Sequence, residues 1–258
     1  MIALSVNLNK IALLRNSRDT TQPDVVEHAR LALQAGADGI TVHPRPDQRH
    51  IRAGDCFELA AMLAAEYPGT EFNIEGNPLA GPRGSTRKGV PDFPGFMELV
   101  TELKPSQCTL VPDGDAQLTS DHGFNLHRDA DLLKPLIARL QALNIRVSLF
   151  MDPVQEQIEL AARSGAERIE LYTEAYAHAC QYGQRVEPVW RQYRDATAQA
   201  RGLGLGVNAG HDLNLHNLPR FAEIPGLLEV SIGHALTVDA LRLGFSRAIQ
   251  AYQRALGK

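Results

Sequence analysis

Short apolar runs rich in β-branched residues alternate along the chain with longer segments whose apolar positions recur at helical spacing, the pattern of a parallel sheet with crossover helices. Eight runs read as strands, at residues 3–8, 39–43, 71–75, 107–111, 146–151, 168–172, 204–208 and 228–232. Helices are predicted over 23–35, 56–66, 94–103, 129–143, 153–164, 186–203, 215–222 and 237–256. In the first of these, Val26, Ala29, Leu31, Ala32 and Leu33 form a core stripe, and Gly36 supplies the left-handed residue that stops the helix. Eight strand–helix units in 258 residues fit one closed (β/α)8 TIM barrel, a single α/β domain over residues 1–258.

An internal echo agrees with closure. AGADGITVH, ending at His43, resembles SGAERIELY, ending at Tyr172, and each carries a helix stop into a strand about half a chain apart. One segment breaks the alternation: NPLAGPRGSTRKGVPDFPG, residues 77–95, is dense in Pro and Gly and follows the third strand. A βα loop of this length stands over a barrel mouth as a lid or forms a surface insertion.

Composition narrows the function classes. With 44% hydrophobic and 22% charged residues the chain can bury a large core, and a net charge of −4 disfavours nucleic acid or an anionic membrane as partner. Three cysteines without a CxxC pair fit a reducing, cytoplasmic compartment. No targeting segment is read at the amino terminus, and no stretch approaches the roughly 18 apolar residues of a membrane span.

In a barrel of this type the reacting groups stand at the carboxyl ends of the strands and in the loops that follow. Those positions hold Asn7, Asn9 and Lys10 after the first strand, His43, Arg45 and His50 after the second, and Glu75 at the end of the third. Glu170, Tyr172 and Thr173 follow on the sixth, His211 and Asp212 on the seventh, and Gly233 and His234 on the eighth. His43, His211 and His234 with Glu75 and Glu170 make a set able to donate and accept protons near neutral pH. Arg15, Arg18, Arg45, Arg49 and Arg52 crowd the first two βα loops and suit phosphate oxygens, as does Gly233 before a helix start in SIGHAL. Small phosphorylated molecules are therefore the expected ligands. VNAGHD could supply one metal ligand, but HxH and HExxH spacings are absent and interleaved arginines repel a cation, so a metal site is not expected. Lys10 is the lysine placed for a Schiff base, which leaves open a sugar-phosphate aldolase or isomerase; a barrel that binds a phosphometabolite without turning it over is the non-enzymatic alternative.

The blocks VNLNKIALLRNSR, GADGITVHPRPDQRHIR, FNIEGNP, TLVPD, VSLFMDP, VNAGHDLNLHN and VSIGHAL, in this order over almost the whole chain, resemble the pyridoxine 5'-phosphate synthase family. The resemblance implies a barrel with added helices, a homo-octamer, and no cofactor. It implies condensation of 1-deoxy-D-xylulose 5-phosphate with 3-amino-2-oxopropyl phosphate to pyridoxine 5'-phosphate, inorganic phosphate and water. It makes His43 and Glu75 proton acceptors, His211 the proton donor and Glu170 a stabiliser of the transition state. It assigns Asn7, Arg18, Asp212, Gly233 and His234 to the aminoketone phosphate, and Arg45, His50 and Thr119 to the sugar phosphate. Three departures from the family pattern stand out: Asn9-Lys10 where many members carry Asp-His, with Lys10 expected to bind the sugar phosphate; Asp212 where many carry glycine; and the long 77–95 loop.

Overall fold

The computed structural model describes residues 1–18, 20–114 and 116–258. Eight parallel strands close into one barrel in sequence order, with β1 (Ala3–Asn7) paired to both β2 (Gly39–Val42) and β8 (Leu227–Ile232). The remaining strands are β3 (Glu71–Gly76), β4 (Gln107–Leu110), β5 (Arg146–Met151), β6 (Arg168–Tyr172) and β7 (Gly206–Gly210). The helices among the described residues are α1 (Asn9–Asn16), α2 (Val25–Gln34), α3 (Ala53–Glu66), α4 (Phe96–Leu103), α5 (Leu126–Gln141) and α6 (Gln155–Ser164), then α7 (Glu174–Tyr182), α8 (Val186–Gly202), α9 (Leu218–Phe221), α10 (His234–Leu243) and α11 (Phe245–Ala255).

The expected barrel is therefore present, with helices beyond the repeat. α1 and α7 lie in βα connections where no helix is predicted, and the single helix expected over 237–256 breaks at Gly244, whose φ of +82° ends α10 and sets the entry to α11. The repeated helix stop is also real: Gly36 and Gly165 both take positive φ, +103° and +93°, ahead of β2 and β6. Strand β7 runs to Gly210, two residues beyond the predicted end, and so delivers His211 directly to the mouth.

Strand residues alternate in a way that places the apolar core outside the barrel. Leu4, Val6, Ile40, Val42, Ile74, Leu149, Ile169 and Val230 are fully buried between strands and helices, each contributing about 1.5–3 kcal/mol by burial. The intervening residues point inward and are polar, unlike the branched apolar layers common in this fold. Asn208 of β7 donates to Gln107 of β4 at 3.3 Å, and Arg146 of β5 pairs with Glu71 of β3 at 2.5 Å, contacts that only inward side chains can make. Above them Ser5 and Thr41 hydroxyls lie 2.6 Å apart, and Thr109 donates to Asn73 at 3.0 Å. These bonds offset the cost of burying polar groups.

The 77–95 segment is pinned at several points. Arg83 and Phe93 exchange backbone hydrogen bonds at 2.9 Å, Phe93 is fully buried, and Gln48 donates to the Pro91 carbonyl at 2.8 Å. Among the described residues no helix is long and apolar enough to cross a membrane.

Candidate active site

The carboxyl ends of the strands surround a cavity of about 330 Å³. Nearly every residue singled out from the sequence lines it: Asn7, Lys10, His43, Arg45, His50, Glu75, Thr119, Glu170, His211, Asp212, Gly233 and His234. Arg18 stands apart, exposed beyond the end of α1 and outside this lining.

The first turn of each following element fixes the side chains. Asn7 ends β1, and its Oδ1 accepts the Asn9 backbone N–H at 3.0 Å; Asn9 in turn accepts the His43 backbone N–H through Oδ1 at 2.9 Å. The residue at position 9 is thus a brace between two strand ends, while Lys10 reaches the cavity from the first turn of α1. His43 is buried beside Glu75, with Nδ1 3.8 Å from Oε2, and its Nε2 lies 3.2 Å from Asp113. Glu75 also receives Asn7 and Asn73 amides at 3.5 Å each.

On the opposite wall, Glu170 occupies space that Gly210 leaves free: a Cβ on Gly210 would lie 2.1 Å from its Oε1. His211 and Asp212 both adopt positive φ, +80° and +58°, uncommon for side chains of this kind and concentrated at functional sites. The turn is secured by Thr173, whose hydroxyl donates to the Gly210 carbonyl at 2.7 Å and also to the His211 carbonyl, and by Asn217, which donates to the Asp212 carbonyl at 3.1 Å. It tilts the His211 ring against Tyr172 and Phe150, with centroids 5.1 and 5.4 Å away. A left-handed position favours glycine and is tolerated by Asp, which accounts for the residue found at 212. Gly233 lets β8 approach β1, since a Cβ there would meet the Asn7 Cβ at 3.0 Å, and it caps α10, whose first residues His234 and Ala235 line the cavity with it.

Burial dominates the ionisation of the site. It holds His43 and His50 well below the ordinary imidazole value, reinforced by Arg45 and, for His50, by His43 and Lys10. His211 is lowered by burial, with Asp212 and Asp113 pulling the other way. Glu75 is raised well above its ordinary value by burial and by the neighbouring carboxylates Glu170, Glu229 and Asp113, and burial pushes Glu170 up to about 7. Burial thus favours the neutral forms of both His43 and Glu75, whose facing atoms lie 3.8 Å apart.

The arginines divide. Arg45 and Arg49 line the cavity. Arg15, grouped with them in sequence, is structural: it forms a buried bidentate pair with Asp55 at 2.5 and 2.8 Å and donates to the His50 carbonyl. Arg52 bonds Asn16 at 2.8 Å at the start of α3. The side chain not anticipated is Asp113, which belongs to the quoted block TLVPD but gained no role there. Among the described residues no cluster of three or more His, Cys, Asp or Glu could hold a metal ion.

A family model described as pyridoxal phosphate biosynthesis protein PdxJ matches residues 4–258. The chain belongs to the PdxJ family. Its curated relatives include the pyridoxine 5'-phosphate synthase of Xanthomonas campestris pv. campestris, 54% identical over 96% of this chain and 94% of that protein. The pyridoxine 5'-phosphate synthase of Albidiferax ferrireducens is 50% identical over 99% and 97%. This PdxJ-family chain is an enzyme of the same class. Among solved structures, the tryptophan synthase alpha chain of Legionella pneumophila aligns over 100% of this chain and 91% of its own length, with TM-score 0.65 and 12% identity. The corresponding Pyrococcus furiosus subunit aligns over 100% and 98%, with TM-score 0.60 and 14% identity; both share the fold.

Proposed function

We propose that this chain condenses 1-deoxy-D-xylulose 5-phosphate with 3-amino-2-oxopropyl phosphate, releasing pyridoxine 5'-phosphate, inorganic phosphate and water. The observation that carries the proposal is the convergence of His43, Glu75, Glu170 and His211 on one cavity together with Lys10, Arg45, His50 and the α10 N-terminus, in a chain of this family. The amine of one substrate meets the ketone of the other, so the imine forms between substrates and requires no enzyme lysine. Lys10, Arg45, His50 and Thr119 hold the sugar phosphate; Asn7, Gly233, His234 and the backbone at Asp212 serve the aminoketone phosphate. His43 and Glu75 act as a pair that accepts substrate protons through whichever member is bare, and Glu170 stabilises charge that develops in the transition state. A bound phosphate dianion raises the neighbouring His211 toward the imidazolium form it needs to protonate a departing hydroxyl.

A cytoplasmic homo-octamer is the setting we propose. Apolar side chains at Leu13, Leu14 and Leu241, exposed at 41%, 54% and 79% on the adjacent helices α1 and α10, support self-association.

Substituting His43→Ala or Glu75→Gln tests the assignment. Both variants are expected to fold with an unchanged circular dichroism spectrum and to lose product formation by about 10²-fold or more; near-normal turnover in either overturns its role.

A further inference from the structure

Behind His43, on the side away from Glu75, Asp113 joins three loops. Its Oδ2 accepts from Arg45 Nη2 at 2.5 Å and lies 3.2 Å from His43 Nε2. Ser120 bonds the same carboxylate, and Asn77 donates to the Asp113 backbone carbonyl at 2.6 Å. The side chain is thereby held from the loops after β2 and β4 and the backbone from the loop after β3, and the residue is only 8% exposed.

The 3.2 Å approach of this carboxylate favours one His43 tautomer over the other. A carboxylate accepts and does not donate, so the nitrogen facing it is the N–H. A neutral imidazole has a single N–H, and with that hydrogen on Nε2 the other nitrogen, Nδ1, is bare and faces Glu75 at 3.8 Å. The His43 backbone is independently fixed by Asn9. We infer that Asp113 is a positioning residue that holds His43 as the Nε2–H tautomer, with bare Nδ1 presented to the cavity beside Glu75. The same carboxylate offsets the charge of Arg45, which opposes proton uptake by His43. In its kinetic consequences the inference rests on the function proposed above; in its structural consequences it does not.

Alanine at this position discriminates positioning from simple anchoring of Arg45. A single oxygen, Oδ2, meets both Arg45 Nη2 and His43 Nε2, so Asp113→Ala removes the acceptor of both: Arg45 keeps the Gly114 and Gln117 carbonyls, whereas Nε2 loses the partner for its hydrogen and the tautomer with Nδ1 protonated gains. Asp113→Glu keeps the carboxylate, and the cavity of about 390 Å³ that Asp113 borders has room for one more methylene.

The experiment is nitrogen NMR of the full-length chain labelled with ¹⁵N-histidine, in wild type and both variants, with the His43→Ala spectrum identifying the His43 signals. Steady-state kinetics on the same preparations supply kcat and KM. Wild type and Asp113→Glu are expected to show Nε2–H at His43, and Asp113→Ala a shift toward the Nδ1–H form. The Ala variant is expected to lose about 10²-fold in kcat with KM changed less than about 3-fold, and the Glu variant to keep most of the wild-type kcat. An unchanged tautomer in Asp113→Ala, or a rise in KM for the sugar phosphate at unchanged kcat, overturns the inference in favour of Arg45 anchoring. A wild-type chain that forms no product overturns the proposed function instead, and the NMR comparison, which needs no substrate, then decides the role of Asp113 alone.

Discussion

Gly210 stands where β7 hands over to His211, and its missing side chain is filled by the Glu170 carboxylate. Replacing it with alanine puts a methyl carbon 2.1 Å from Oε1 and 3.2 Å from Cδ of Glu170. To regain the 3.4 Å of ordinary contact the oxygen must retreat by about 1.3 Å. The clash is with the end of a side chain and not with backbone, so the cost in stability falls at the low end of overpacking, about 1 kcal/mol. For a chain of this size that lowers the melting temperature by about 2–4 °C. The chemical cost is larger, because displacing a group by about 1 Å from its productive position costs about 10²-fold in rate. Differential scanning calorimetry and a turnover assay on Gly210→Ala separate the two effects. The expected result is a small thermal shift with about 10²-fold loss of kcat. Turnover within about 3-fold of wild type would refute the reasoning that the Glu170 carboxylate must lie against β7.

Three further outcomes follow from the same geometry. Burial raises Glu170 from an ordinary 4.5 to about 7, so the folded chain retains a proton the unfolded chain releases in that window. Stability on this account is fully present below about pH 4.5 and is lost as pH rises toward 7, by about 3 kcal/mol. Glu170→Gln should therefore melt with wild type at low pH and above it at pH 8, and a difference that does not depend on pH contradicts the shift. Lys10→Met should raise KM for the sugar phosphate by roughly 10-fold or more, while borohydride reduction in the presence of that substrate leaves Lys10 unmodified by mass spectrometry; a trapped adduct would establish Schiff-base chemistry in place of the proposed imine between substrates. Arg15→Ala strands the buried Asp55 carboxylate and should cost about 3–5 kcal/mol in denaturant titration, whereas a loss below 1 kcal/mol would mean the pair is dispensable.

How much of this was legible in the residues varies with how far the determining contact lies along the chain. The strands were readable because their outward faces are apolar and β-branched, and the strand ends carried His43, Glu75, Glu170 and His211 in plain view. Helix α1 was not, because Leu13 and Leu14 face outward while Ile11 and Ala12 face inward, which erases any single stripe. Helix α7 was hidden for a related reason: its alanines and polar residues give a weak period before Gly183 ends it. Arg15 reads like the arginines around it, and only the fold brings Asp55 to it from 40 positions away. Asp113 lies three residues past the end of β4 and acquires meaning only from His43 and from Arg45, 68 positions upstream. Local pattern exposes such residues as polar; only the fold shows their partners.

The central claim is that one cavity joins two phosphorylated molecules and closes a ring. The purified chain incubated with 1-deoxy-D-xylulose 5-phosphate and 3-amino-2-oxopropyl phosphate tests it directly, with pyridoxine 5'-phosphate measured by chromatography and released phosphate measured in parallel. The account predicts that the two products appear together in equal amounts and only when both substrates are present. Phosphate release from either substrate alone, or no pyridoxine 5'-phosphate from the pair, would contradict it.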